Sequence, residues 1–266
     1  MNSINSQYFG IVYAPESFIE LCQLLENHWG NYPRVHYWRG QADINWTIDS
    51  AAYRRLKVGR QGGRVTEAMM ASYEMNLINQ ARHSGYGYED GRRLTDFEVL
   101  AKLQHHGAAT RLIDFSRNML VALWFACNSN ENATGLLIGL DKLAMTGEEI
   151  TNEERDYRDI FAEEAETQRA ITWQPPTVSK RITAQRAQFV YSLVGQYRFG
   201  SLYFDEDPKS YIFIALKPAF KRMMLEQLKS TFDIHYQALH PDIDGFCASN
   251  GTAQPRFNYE RSSFDL

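Results

Sequence analysis

Three observations predict an α+β fold in which helices flank a mixed central sheet. Two short runs, Gly135–Leu140 (GLLIGL) and Tyr211–Leu216 (YIFIAL), are apolar on both strand faces and read as buried central strands. Several longer stretches carry apolar residues at three- and four-residue spacing, the periodicity of amphipathic helices. Between two such apolar runs, Leu100 to Cys127 (LAKLQHHGAATRLIDFSRNMLVALWFAC) encloses a polar knot of His105, His106, Thr110, Arg111, Asp114 and Ser116. Reactive side chains held between buried elements are the pattern of a site on a rigid frame.

The 266 residues fit one large domain or two small ones, and 44% of them are hydrophobic, enough for a sizeable core. A net charge of −4 argues against bulk electrostatic binding to nucleic acid or anionic membrane, though it leaves room for a local basic patch. Cys22, Cys127 and Cys247 are far apart, without paired CxxC spacing, and read as buried reduced thiols of a cytoplasmic protein. The N-terminal residues lack a basic segment followed by an apolar core, and no apolar run is long enough for a membrane span.

Taken in order, residues 1–14 read as an extended lead-in. Pro15 to Trp29 predicts a helix with Phe18, Leu21, Cys22, Leu25 and Trp29 on its apolar side, ended by Gly30. Val35 to Gly40 (VHYWRG) is rich in strand formers. The basic stretch holding Arg54, Arg55, Lys57, Arg60 and Arg64, with Gly59, Gly62 and Gly63, predicts a loop that is either solvated or faces phosphate. Thr66 to His83 reads as a long helix with Met69, Met70, Tyr73, Leu77 and Ala81 on one side. A second helix starts at Thr95–Asp96, reinforced by Glu98, and stops near Gly107.

Thr110 to Phe115 is too short for much regular structure, and Asp114 or Ser116 is placed to cap the helix carrying Leu120, Leu123, Trp124 and Cys127. Residues 148–166 hold nine acidic residues and predict a solvated helical excursion ended by Pro175–Pro176. Gln185–Val194 resumes strand-like sequence, and Pro218 opens a helix with Phe220, Met223, Met224, Leu228 and Phe232 on its apolar side. His240–Pro241–Asp242 turns the chain, and the tail from Gly251 is polar. The sheet is expected to contain the strands near 35–40, 135–140, 188–194 and 211–216.

Arg39 is the first candidate site residue. Its planar guanidinium at a strand end suits paired hydrogen bonds to a diphosphate or carboxylate, with a structural ion pair to Asp114 as the alternative. Gly40 frees the backbone there, so that Gln41 also projects toward a cleft. His105 and His106 are adjacent, so on a helix they diverge by about 100° and do not share one metal. Neither HxxxH nor HExxH spacing is present, and no metal is expected. His105 suits acid–base work or a substrate hydrogen bond, with a satisfied core histidine as the alternative. Thr110, Arg111 and Asp114 form a polar cluster with Arg39, and Asp114 either orients an arginine, acts as a base or caps a helix. Ser116 lacks a glycine elbow, and GRQGG at 59–63 lacks the Lys-Ser/Thr of a phosphate loop.

The string YWRGQ, with Trp46 and then Tyr53-Arg54-Arg55, resembles the opening of the FRG domain, a family named for an aromatic–Arg–Gly strand. QHHGAATRLIDFSRNMLVALWFA is similar to that family's central motif, RITAQRAQF to its later segment, and HPDIDGF to its closing Pro-Asp-x-Asp-Gly. The resemblance spans residues 35–247, with residues 1–34 as lead-in, an acidic insertion at about 148–176 and a polar tail at 248–266. Ala187 stands where the family usually has Gly, and Ala108-Ala109 replaces a segment that often contains Pro.

This resemblance implies a role in bacterial conflict, as phage defence or toxin action. A weaker likeness, in motif order only, is to ADP-ribosyltransferases. It implies NAD as substrate, with Arg39 on the phosphates, Thr110 at the nicotinamide-ribose pocket, and protein or nucleic acid as acceptor. Gln185 and Gln188 fall near the position of those enzymes' late glutamate, and either would orient acceptor or ribose. Two alternatives stand beside it. One is a nucleotide or nucleic-acid sensor using Arg39, Arg54, Arg55 and Arg111. The other is a metal-independent nuclease with His105 as base.

Overall fold

The computed structural model describes residues 2–30, 36–142, 156–163, 169–176, 180–205 and 207–251. In chain order the elements are β1 (Ser3–Ser6), β2 (Gly10–Tyr13), α1 (Phe18–Trp29), β3 (His36–Gln41), α2 (Ala51–Gly59) and α3 (Glu67–His83). A two-residue hairpin, β4 (Tyr88–Glu89) and β5 (Arg92–Arg93), precedes α4 (Asp96–His105), β6 (Ile113–Ser116), α5 (Met119–Cys127) and β7 (Gly135–Asp141). Then come α6 (Tyr157–Glu163), β8 (Ile171–Trp173), α7 (Lys180–Ala184), β9 (Ala187–Tyr191), β10 (Tyr211–Leu216), α8 (Pro218–Phe232), α9 (Tyr236–Leu239) and α10 (Ile243–Ser249).

The fold is α+β, with one eight-stranded mixed sheet in the order β1-β2-β10-β7-β3-β6-β9-β8. Every neighbouring pair is antiparallel except β2 with β10. β7 lies in the middle and is buried at all seven positions, as its unbroken apolar run requires. Helices α1, α5 and α8 bury one face through Leu21, Trp38, Ala122, Leu137, Ile214 and Met224. Tyr37, Ile48, Phe115, Ile138 and Ala215 form the core of the other face. A third cluster joins α3 and α4 to β8 and β9 through Ile78, Phe97, Leu100, Trp173 and Tyr191.

Three local expectations are corrected. Ile113–Ser116, expected to be irregular, is a strand between β3 and β9, because alternation of Ile113 and Phe115 gives it one buried face. The first part of the basic stretch expected to be a loop, through Gly59, forms α2, started by the Ser50 hydroxyl accepting from the Tyr53 amide and by two alanines, while residues 60–64 are the expected turn and loop. The cap of α5 is neither Asp114 nor Ser116 but Asn118, whose side chain accepts from the Leu120 amide at 2.9 Å. Replacing Asn118 with Ala is expected to cost about 1 kcal/mol. Urea unfolding measures it, and an unchanged midpoint would remove the capping role.

Burial departs from the sequence reading where polar partners meet. On α3 the buried residues are Met70, Glu74, Ile78 and Ala81, so a carboxylate occupies the helix face expected to be apolar. Its partner is Arg111, whose side chain is 2% exposed and whose Nε donates to Glu74 at 2.7 Å. The described part of the acidic stretch supplies the rest of that network. Tyr157 donates to Glu74 at 2.5 Å, and Phe161 lies 3.7 Å under the Arg111 guanidinium. Residues expected to be solvated thus anchor α6 to the core, while the remainder of 148–155 and 164–166 lies outside the described residues.

Lys221 is a second buried cation, 1% exposed, its ammonium facing the carbonyls of Ala42, Ser129, Asn130 and Ala133 at 2.8–3.2 Å. It ties the end of β3 to the α5–β7 connection. Of the cysteines only Cys127 is buried, its thiol pushed up to about 12 by burial, while Cys22 and Cys247 are exposed. Cys22 misses the core because α1 turns Leu21, Leu24 and Trp29 inward instead.

Candidate functional site

β3 and β6 share one register pair, Trp38 with Ser116, and then separate. Paired residues of neighbouring strands lie on one face, so Trp38, Gly40, Asp114, Ser116 and Phe189 all point toward the side carrying α4 and α5. There the two helices bound a cleft of about 380 Å³, with α7 and His240 on its outer wall. Its floor and inner walls are apolar, with Val121, Ala122, Phe125, Ile182 and Phe189. Its polar groups are Arg39, Gln104, His105, Asp114, Arg181 and Gln185.

Gly40 makes the closeness of β3 and α5 possible. A Cβ at that position would overlap the Ala122 carbonyl oxygen and stand 2.6 Å from the Ala126 amide nitrogen. The alanines four apart on α5 present the matching small face. The Arg-Gly pair therefore divides two tasks: the glycine seats the helix, and the arginine on the opposite face reaches into the split between the strands.

The Nη1 of Arg39 donates to the main-chain oxygen of Asp114 at 2.7 Å, and its Nε reaches the Gln41 side chain at 3.5 Å. The guanidinium thus satisfies a carbonyl of β6 where β3 has moved away. Burial draws its pKa down, the Asp114 carboxylate raises it, and the charge of Arg54 lowers it. An arginine stays charged under such pulls and gains more from an anionic ligand than a solvated one does.

Asp114 is exposed to the cleft, and its carboxylate is placed by a short relay. The Thr110 hydroxyl donates to Gln104 Oε1, and Gln104 Nε2 donates to Asp114 Oδ1 at 2.8 Å. Thr110 itself is fully buried and acts behind Gln104. Ser116 donates to the Gln185 carbonyl at 2.7 Å and accepts from the Asn118 amide at 3.0 Å, which ties β6 to the end of α7. Gln185 donates to the Leu239 carbonyl at 3.0 Å and comes within 3.5 Å of His240 Nε2.

The outer wall carries a second polar group. Arg181 donates to Asp242 Oδ1 at 2.7 Å, and Asp242 Oδ2 lies 3.9 Å from His105 Nε2. The pKa of His105 is lowered by burial, then by Arg181 and His106, against the opposing carboxylates Asp242 and Asp244. That of His240 is also lowered, chiefly by burial. Both shifts favour the neutral imidazole at neutral pH. Arg181 holds the Asp242 carboxyl below its ordinary range.

Of the residues singled out by sequence, Arg39, Gly40, His105, Asp114 and Gln185 line the cleft together. Gln41 is buried beside it, donating to the Trp46 carbonyl at 3.2 Å. Arg54 is exposed on α2, donates to the Asp49 carbonyl and acts on Arg39 through its charge. Arg55 is also exposed on α2, 5.9 Å over the Tyr73 ring. Arg111 lies outside the cleft in its ion pairs with Glu74 and Glu67. Gln188 pairs with Phe115 and so points to the opposite face, where it donates to the Thr172 hydroxyl at 2.5 Å. Arg111 and Gln188 are kept out by strand parity and by the buried carboxylate of α3.

Gln104, Arg181 and His240 also line the cleft, and Asp242 pairs with Arg181 behind it, without having been singled out. All four lie within the quoted motifs, in QHHG, RITAQ and HPDID, so their signal was motif membership rather than local pattern. Among the described residues no three His, Cys, Asp or Glu side chains are grouped to hold a metal ion, and no helix is long and apolar enough to cross a membrane.

The family model for the FRG domain matches residues 34–135, from the approach to β3 to the first residue of β7. That span supplies Val121, Ala122, Phe125, Arg39, Gln104, His105 and Asp114; Ile182, Phe189 and the outer wall of Arg181, Gln185 and His240 follow later in the chain. No curated protein and no solved structure matches the chain.

Proposed function

We propose, from the match of residues 34–135 to the FRG domain model, that the chain is an NAD-using ADP-ribosyltransferase-like enzyme of bacterial conflict, acting on protein or nucleic acid. The observation that carries the reading is the split between β3 and β6, which brings the Arg39 cation and the Asp114 carboxylate into one cleft of about 380 Å³. That volume lies in the range of pockets for nucleotide-sized ligands.

In this reading Arg39 grips the diphosphate and Arg181 adds positive potential from the outer wall. Asp114, held by Gln104 and Thr110, opposes the positive charge that develops on the ribose as the bond to nicotinamide breaks. Gln185 orients ribose or acceptor. Phe125 and Phe189 offer apolar surface to the rings. The fixed relay supports the assignment, because preorganised charges contribute most to electrostatic stabilisation.

Calorimetric titration of NAD into the wild type and into Arg39→Ala tests the binding step. Losing one charge-assisted contact in a shielded cleft is expected to weaken binding roughly 10- to 100-fold, with the unfolding midpoint recorded for both proteins. Equal heats would sink the reading. Incubation with labelled NAD and lysate then tests transfer. NAD bound but unconsumed would favour a sensor, and chelator-resistant RNA cleavage lost in His105→Ala would favour a nuclease.

A further inference from the structure

The outer-wall carboxylate has two oxygens with different fates. Asp242 Oδ1 accepts from Arg181 at 2.7 Å and from the Gly245 amide at 2.8 Å, which makes Asp242 the cap of α10. Its Oδ2 is buried without a hydrogen-bond partner and faces His105 Nε2 at 3.9 Å. A buried carboxylate oxygen seldom stays unsatisfied, and catalytic hydrogen bonds are often long before substrate arrives. His105 also stands in the wall shared by two cavities, the cleft and a smaller one of about 120 Å³ beside Glu89, Lys102 and His106. A group in either cavity can reach its ring.

We infer that Asp242 is a positioning residue that holds His105 with its proton on Nε2, leaving Nδ1 as the base for the acceptor. Only the acceptor step rests on the transferase reading above. In that step the acceptor's O–H or N–H group forms a bond to ribose C1′ as the bond from C1′ to the nicotinamide nitrogen breaks. The electron pair leaves with neutral nicotinamide. The acceptor's proton passes to Nδ1, and the resulting imidazolium faces Asp242. Arg181 holds the carboxylate in place, and burial, with the charge of Arg181 after it, favours the neutral imidazole that is ready to accept.

Histidine side-chain NMR on the full chain tests the pairing without reference to any reaction. The groups facing His105 are Arg181 on α7, His106 at the C-cap of α4, Asp242 and Asp244 at α10, and His240. The wild type is expected to show His105 as the Nε2–H tautomer. Asp242→Asn keeps a capping side chain but removes the charge, so His105 should titrate lower and lose its tautomer preference. Arg181→Gln should move the titration the opposite way, upward. A wild-type Nδ1–H tautomer, or a titration indifferent to both substitutions, would overturn the pairing.

Where label transfer is established, Asp242→Asn should lower kcat at least about 10-fold with KM for NAD little changed, and shift the acidic limb of the pH profile. A kcat within twofold of wild type would overturn the positioning role. If the wild type transfers no label, the transferase reading fails while the titrations still decide the pairing.

Discussion

Gly40→Ala is expected to lose more stability than the roughly 1–3 kcal/mol of ordinary overpacking, and to accumulate largely as insoluble protein. The reason is the identity of the atoms in the way. The added methyl meets the Ala122 carbonyl oxygen and the Ala126 amide nitrogen, both backbone atoms of α5, and backbone cannot rotate aside as a side chain can. Relief requires α5 to lift off β3, which opens the core around Trp38 and Val121 and widens the cleft. Gly107→Ala is the matched control. That glycine has φ of +89° but nothing within 4 Å of an added Cβ, so its cost is the strain of one left-handed residue, about 1 kcal/mol. Urea unfolding of the soluble fractions compares them. Equal losses would mean that backbone conformation, not helix seating, is why the motif needs its glycine.

Arg111→Met is expected to destabilise the fold by about 3–5 kcal/mol, because it strands the Glu74 carboxylate, which is fully buried, without its counter-charge. Burial alone would draw the Arg111 pKa down, but Tyr157, Glu74 and Glu67 raise it further, so the guanidinium remains charged inside the core. The double variant Arg111→Met with Glu74→Leu should recover most of the loss, since apolar replacement of a buried pair is often neutral. Thermal and urea unfolding of the single and double variants form the test. A single variant within 1 kcal/mol of wild type, on the scale of a surface change, would show that the pair does not anchor α3 and α6.

The second prediction concerns a residue that local pattern alone assigns ambiguously. Arg39 and Arg111 each follow a polar or aromatic residue near a strand, and each is a reasonable phosphate ligand by type. They part company through their surroundings. Arg39 lies where β3 leaves β6 and finds, among the described residues, a carbonyl and a glutamine, whereas Arg111 meets two carboxylates and a phenol delivered from positions 67, 74 and 157. Gln185 and Gln188 differ similarly. They are three residues apart, yet one follows α7 beside the cleft and the other sits inside β9 facing away.

By itself the sequence determined the elements whose signals are local. The apolar runs of β7 and β10, the capping box of Thr95 and Glu98, the helices α1, α3 and α8, and the aromatic–Arg–Gly strand were all legible, because periodicity and caps act over a few residues. It also singled out Arg39, His105 and Asp114, which line one cleft. Tertiary structure alone decided which side chains enter the cleft and which anchor the core. It made a strand of Ile113–Ser116 by giving that segment two neighbours, and it turned part of an acidic stretch inward by supplying Arg111 to meet it. It set Asp242 opposite His105, 137 positions away in sequence. Such choices depend on partners brought together only when the chain closes, and the free energy of a buried charge depends on those partners more than on the charge itself.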